Sequence, residues 1–394
     1  MYYIHITPGK KPTGTSDTSW WTDINKKIKV TIVAVAAVLA IVLASFTGVY
    51  YTRIQTMGTI EQVASYDDGY GLYSMEIKYN YDIDRIIDRG LTDDQSIADA
   101  IRKEALPYIP IKIEAPKFAC TAFSMTTADD EHLMGRNYDF KNDTSAMLVK
   151  CSPRNGYSSV AFAALDNIQA NDPTSLKTKM ACLTAPFICL DGVNEKGVSI
   201  AVLTLDSKPT RQDDGDKQTI FTTLAIRLVL DRADSTEKAV ELLSKYNMFA
   251  TSGRDYHFYI TDSTGDGRVV EYDCDSETRR MTVTSSDAVT NFFVMYKDKV
   301  LPNQKNDQYG HGRERYDAVM NIIDETRGTA TAEDAWRALR ETSQLPDPKD
   351  PTSNTQWSIV FSNTEKTATI SIRMHWDDRF HYDLESGGLK KVDQ

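Results

Sequence analysis

The sequence is short of positive charge, cysteine and histidine, and each shortage removes a class of function. Lys and Arg number 45 against 56 Asp and Glu, a formal net charge of −11. That is the wrong sign for a surface that must neutralise phosphates, so no nucleic acid is expected. Five cysteines in 394 residues are too few for a disulfide scaffold. No two stand as a CxxC pair, which argues against a zinc ribbon or a thioredoxin-type site. Phosphate-cradling glycine loops and HExxH are missing too, and no metal or organic cofactor is called for. The rest is ordinary: 41% apolar and 26% charged residues are near globular averages. At roughly 150 residues per domain the length suits two or three units, or one large unit with appendages.

Charge is also absent locally, from Val30 to Tyr51. At about 1.5 Å per residue these positions span about 33 Å, enough for a hydrocarbon core of about 30 Å. Lys10, Lys11, Lys26, Lys27 and Lys29 precede the run and only Arg53 follows closely. The expected organisation is a cytoplasmic tail at 1–29 and a signal-anchor helix at 30–51, with the remainder outside the cell membrane. A cleaved secretory signal competes with this, but Ala44-Ser45-Phe46 is a poor cleavage site. Residues 52–119 read as a linker or prosegment, with Leu106–Pro116 extended because each proline biases its predecessor away from helix.

Beyond Ala119 strands and helices mix. Strands are expected at Thr121–Thr127, Leu133–Phe140, Val160–Leu165, Pro186–Leu190, Val198–Leu205, Tyr256–Thr261, Arg268–Tyr272, Arg280–Ser285, Val289–Met295, Gln356–Ser362 and Thr367–His375. Helices are expected at Thr219–Arg232, from an Asp234 N-cap onward, and near Gly312–Glu325 and Ala332–Ser343. Asp191–Gly197 reads as a loop joining a hairpin. Runs of strands alternating with pairs of helices indicate an α+β layered fold rather than a parallel βαβ sheet.

Cys120 begins the first strand of this outer part. Arg136 follows sixteen positions on, with Asp139 three further along, on the partner strand of an apparent hairpin. A cation beside a thiol stabilises the reactive thiolate. A carboxylate nearby could hold an ammonium group. If the chain were cut before Cys120, the new α-amino group, with an ordinary pKa of about 7.7–8.0, would suit a general base near neutrality. Nucleophile and base would then share one residue. By themselves these residues are more often a core cysteine and a structural ion pair.

Cys120-Thr-Ala-Phe, then Gly135-Arg-Asn-Tyr-Asp-Phe140, then Asp191-Gly-Val-Asn-Glu-Lys-Gly197 resemble the choloylglycine hydrolase family. Tyr259-Ile-Thr-Asp, Val270-Glu-Tyr, Val289-Thr-Asn-Phe, Gly312-Arg-Glu-Arg-Tyr316 and Thr355-Gln-Trp-Ser follow in the same order. The family holds bile salt hydrolases and penicillin V acylases and belongs to the N-terminal nucleophile hydrolases. The resemblance covers roughly Cys120 to His375. It implies a four-layer αββα sandwich over 120–394 and hydrolysis of a linear, non-peptide carbon–nitrogen amide in an N-acyl compound. It also implies roles. Cys120 would be the nucleophile with its freed amine as base, Arg136 its neighbour, and Asp139 the holder of that amine. Asn194 through its backbone N–H and Asn291 through its side chain would form the oxyanion hole. Arg315 would be the second active-site arginine, with Arg313 close enough to be confused with it. Because 119 residues precede Cys120, the mechanism requires proteolysis at Ala119–Cys120.

An acyltransferase of the same fold and a catalytically silent surface-binding protein remain as alternatives. A papain-like pairing is disfavoured, since none of His132, His257, His311, His375 and His381 sits in such a signature. The partners expected are a small N-acyl amide and the membrane through residues 30–51, with homo-oligomerisation left open. Cys151, Cys182, Cys189 and Cys274 could form two disulfides or stay free.

Overall fold

The charge-free run lies inside a 40-residue helix, Ser19–Gly58. The computed structural model describes residues 19–107, 109, 119–305, 307–347 and 354–392. The helical segment Lys26–Gly58 is long and apolar enough to cross a membrane, with a mean hydropathy of 2.6 in its apolar window. Its large apolar side chains, Val33, Leu39 and Ile41 among them, are exposed. A signal sequence near the N-terminus passes the same test of length and composition. Lys10 and Lys11, and most of the extended stretch expected at Leu106–Pro116, lie outside the described residues.

The chain divides into one unit ending at Thr52 and a second beginning at Arg53. The second is built on two large sheets. One has nine strands, in the order Glu61–Ser65, Gly71–Glu76, Ala146–Cys151, Ser159–Ala164, Asp191–Asn194, Ser199–Leu205, Asp255–Thr261, Arg268–Tyr272 and Met281–Ser285. The other has seven, in the order Ala288–Val289, Ala119–Thr126, His132–Asp139, Thr355–Ser362, Thr367–Ile372, Arg379–Asp383 and Leu389–Lys391. Within these two sheets pairing is antiparallel except where Gly71–Glu76 runs parallel to Ala146–Cys151.

The sheets face each other through Ala119–Thr126 against Ser199–Leu205 and Asp255–Thr261. Helices Thr222–Arg232 and Thr236–Ser244 cover the nine-stranded sheet, and Arg313–Glu325 and Ala332–Glu341 cover the seven-stranded one. The result is four layers, αββα. Strands in the two middle layers are covered on both faces, which is why Ser199–Leu205, SIAVLTL, is buried at every position and reads as a continuous run rather than an alternation.

Several local expectations change. Pro186–Leu190 is not a strand. A short 3-10 turn, Ala185–Phe187, sits there, and the strand is Asp191–Asn194, where a loop was expected. Proline lacks the N–H that a ladder needs, so the strand starts after it. Val289–Met295 yields only the short strand Ala288–Val289, followed by the 3-10 helix Val294–Lys299. Thr219–Phe221 is a short strand ahead of its helix, and Ser235, not Asp234, caps the next one.

The folded unit also reaches back well before Cys120. Leu72, Tyr73 and Met75 bury their side chains in the sheet. The Tyr79 hydroxyl donates to the Leu183 carbonyl at 2.6 Å and the Tyr81 hydroxyl to Asp231 at 2.9 Å. Helix Asp94–Ala105, closed by a capping box from Asp93 and Ser96, buries Ile97, Ala100 and Ile101. Residues 53–107 are therefore part of the folded unit rather than a linker.

Candidate active site

Cys120 is fully buried near the start of the strand Ala119–Thr126, opposite Tyr138 on the hairpin partner. The register that puts Ala122 opposite Arg136 brings the Arg136 side chain to the face of the thiol, while Asp139, opposite Ala119, meets the sulfur through its backbone N–H. Burial pushes the Cys120 thiol up to about 11. The Arg136 guanidinium and the Asp139 backbone N–H, both facing the sulfur, pull the other way, and the Asp139 carboxylate adds to the rise. In the uncut chain the thiol is thus protonated at neutral pH.

Arg136 is itself buried, and its Nε donates to Asp191 Oδ2 at 3.0 Å. Burial pulls Arg136 down, and the Cys120 sulfur and the Asp191 carboxylate more than offset that. Burial raises Asp191 to about 6, although Arg136 and the Trp357 indole N–H both stabilise its anion. Asp139 accepts from the Thr355 hydroxyl at 2.6 Å and the Gln344 amide at 2.7 Å. Two arginines, Arg136 and Arg315, thus stand against two carboxylates, Asp139 and Asp191, all of them buried. Such a set is tolerable only because every charge has an opposite within reach.

The peptide unit before Cys120 is held from outside its own strand. Its nitrogen, Cys120 N, donates to Asn291 Oδ1 at 3.2 Å. Asn291 Nδ2 donates to the Thr204 carbonyl at 3.0 Å, which fixes the direction of the amide. Arg315 Nη2 donates to Asn291 Oδ1 at 2.7 Å, and its Nη1 donates to the Cys120 carbonyl at 3.0 Å and the Thr121 hydroxyl at 2.8 Å. Arg315 Nη1 also lies 3.8 Å from Asp139 Oδ2. Arg313 points elsewhere, to Asp317 and the Lys297 carbonyl. Of the two arginines the resemblance left open, the geometry selects Arg315.

Five of the six expected site residues, Cys120, Arg136, Asp139, Asn291 and Arg315, therefore meet. Asn194 does not join them. Its backbone N–H, the expected oxyanion donor, is taken by the Val198 carbonyl at 3.0 Å. Its side chain donates to the Leu230 and Ala233 carbonyls, closing the end of helix Thr222–Arg232, and accepts from Lys196 N and Val198 N. This is a turn-closing asparagine, the role its glycine-bearing surroundings would suggest on their own. Asp139 also differs in detail, since it is Asn291 Oδ1, not the Asp139 carboxylate, that takes the Cys120 N–H.

Asp191, Thr204, Gln344, Thr355 and Trp357 escaped sequence reasoning as site residues. Asp191 had a signal, because it opens the Asp-Gly-Val-Asn segment that carries the resemblance. Gly310 and Gly312 had one too. Both adopt positive φ, 102° and 86°. A Cβ on Gly312 would collide with the Arg315 guanidinium, and one on Gly310 with the Asn291 carbonyl. Only glycine lets both approaches occur. All five cysteines are free, Cys151, Cys182 and Cys189 being buried. Among the described residues no three His, Cys, Asp or Glu side chains gather as a metal site.

Two solved structures share the fold. The penicillin V acylase from Agrobacterium tumefaciens is 18% identical with a TM-score of 0.51, covering 70% of this chain and 91% of its own. A mutant of the conjugated bile acid hydrolase from Clostridium perfringens is 16% identical, also with a TM-score of 0.51, covering 70% of this chain and 97% of its own. Residues 120–285 match the profile of the linear amide C-N hydrolases, choloylglycine hydrolase family. On that match and that fold, residues 120–285 are similar to the choloylglycine hydrolase family of linear amide C–N hydrolases.

Proposed function

We propose that this chain hydrolyses a linear, non-peptide amide of an N-acyl compound through a Cys120 thioester, after the Ala119–Cys120 bond is cut. One observation carries the reading. The nitrogen of that bond is held by Asn291 while the sulfur of the same residue faces Arg136. In the cut, Sγ adds to the Ala119 carbonyl carbon and the carbon–nitrogen bond breaks. The thiol proton ends on the departing nitrogen, now the α-amine of Cys120. Water then hydrolyses the thioester, leaving a carboxyl group on Ala119 and a free thiol.

Turnover repeats the chemistry on a substrate. The α-amine takes the thiol proton, the thiolate attacks the amide carbon, and the proton passes to the leaving nitrogen. Water, activated by the same amine, clears the acyl group. Asn291 Nδ2 has a second hydrogen beyond the one given to Thr204 and supplies a donor to the tetrahedral oxyanion, worth a few kcal/mol. Arg315 keeps Asn291 in place, and Arg136 favours the thiolate. Penicillin V and conjugated bile acids, the compounds named for the two structural relatives, are the first substrates to try. The apolar helix is read as a single membrane anchor with residues 53–394 outside.

The test is intact mass with N-terminal sequencing of the purified protein beside Cys120→Ala. A fragment beginning at Cys120 in the first and missing from the second is the expected result. Chains whole in both would sink the free-amine mechanism and favour a binding protein.

A further inference from the structure

The search for chemistry outside the cluster leads to a fully buried imidazole that the mechanism does not use. His257 lies in the strand Asp255–Thr261, with both ring nitrogens engaged. Nδ1 is 2.9 Å from Glu271 Oε1 and Nε2 is 2.9 Å from the Thr290 carbonyl oxygen. A carbonyl oxygen only accepts, so Nε2 must carry hydrogen. The bond from Nδ1 to Oε1 needs a second proton, on one atom or the other. Glu271 already accepts from Val294 N at 2.8 Å and Met295 N at 3.0 Å, one on each oxygen. The pair is therefore joined by one shared proton and sealed from water.

What this pair holds is the chain beside the nucleophile. Thr290 is bonded to Asn291, whose amide grips Cys120 N and is gripped in turn by Arg315. From the far side, the Thr290 hydroxyl donates to the Gly312 carbonyl at 2.9 Å, and His311 N donates to the Asn291 carbonyl at 3.0 Å. Glu271 meanwhile fixes Val294 and Met295, just beyond Asn291. The segment from Thr290 to Met295 is thus pinned at both ends by one buried, hydrogen-bonded pair. Between the pinned ends stands Asn291.

We propose that His257 and Glu271 are positioning residues for the reaction at Cys120, acting by holding the 290–295 segment so that the Asn291 amide meets the nitrogen of Cys120. The inference rests on the amidohydrolase reading above. It assigns the decisive contact to the Nε2–H bond to Thr290. A misplacement of about 1 Å at a catalytic group costs on the order of a hundredfold in rate, so a bond this close to Asn291 has leverage.

Two amide substitutions separate positioning from bulk stability. His257→Gln can put its amide nitrogen where Nε2 was and keep a donor for Thr290. His257→Asn can meet Glu271 but is too short to reach Thr290. The readouts are the rate of cutting at Ala119–Cys120, which needs no substrate, and the melting temperature. The expected result is that His257→Gln cuts within about threefold of the parent and His257→Asn at least about tenfold more slowly, at melting temperatures within about 3 °C of each other. Should the two cut at equal rates, or slow only in proportion to lost melting temperature, the positioning role falls and the amidohydrolase reading stands. If the parent itself stays whole like Cys120→Ala, both fall together.

Discussion

The protein contains two buried clusters of the same composition. In one, Cys120 lies beside Arg136, which is paired with Asp191 and lies under the Tyr138 ring. In the other, Cys151 lies beside Arg227, which is paired with Asp231 at 2.7 Å and lies over the Tyr81 ring. Burial raises both thiols to about 11 and raises both aspartates. Thiol, guanidinium and carboxylate are thus common to both. What differs is the backbone. Cys120 has its peptide nitrogen taken by the Asn291 side chain and its carbonyl by Arg315, whereas Cys151 sits at the end of a strand paired with Ser159. Arg227 reaches instead to the Ser159 hydroxyl at 2.5 Å, and the Tyr81 hydroxyl completes Asp231. An arginine beside a cysteine is therefore common to both clusters, and only at Cys120 do side chains seize the cysteine's own peptide.

The largest contrast should come from the thiols. Cys120→Ala is expected to lower turnover of a responsive N-acyl substrate at least about a thousandfold. Cys151→Ala should leave kcat within about twofold and cost about 1–2 kcal/mol in urea unfolding. Equal losses in the two would erase the distinction. Next are the arginines. Arg136→Met and Arg227→Met each strand a buried carboxylate and should each destabilise by about 3–5 kcal/mol. Only the first should also lower the specific activity of the protein that remains folded.

Alkylation of the uncut chain sharpens the likeness. With both thiols near about 11, the thiolate fraction grows as pH rises toward that value. Labelling of either by iodoacetamide should therefore increase about a hundredfold from pH 8 to pH 10. After cutting, Cys120 alone should label at neutral pH, read by peptide mass. A smaller effect separates neighbours on one helix: Arg315→Lys should slow cutting about tenfold or more, because a lysine cannot bridge Asn291 and the Cys120 carbonyl. Arg313→Lys should change it less than about twofold. Smallest is Tyr81→Phe, which removes one hydrogen bond to Asp231, about 1 kcal/mol by urea unfolding and nothing in turnover.

How far the sequence carried these conclusions depended on the range of the interactions involved. The hairpin that sets Arg136 and Asp139 beside Cys120 is local, and its alternating strands were legible. Arg315 and Asn291 came from the order of motifs, and nothing in either residue's own neighbourhood distinguished it from a surface charge or a strand-end amide. Asn194 misled because its motif was real, while its side chain served the turn that the motif builds. Residues 53–107 read as part of a linker or prosegment because their partners, such as Leu183 and Asp231, lie more than a hundred positions away. Pairing at that separation leaves no periodic trace in the segment itself.

The strand Gly71–Glu76 carries a consequence of its own. Five of its residues, Leu72 to Glu76, pair in parallel with Ala146 to Lys150, so it is an interior member of the sheet, with Glu61–Ser65 beyond it. In the unbroken chain this docking is unimolecular and indifferent to dilution. A break at Ala119 would turn the same contacts into a subunit interface within a heterodimer made from one polypeptide. Loss of the smaller partner would then be a second-order equilibrium, sensitive to concentration, and it would open a hydrophobic core rather than a surface.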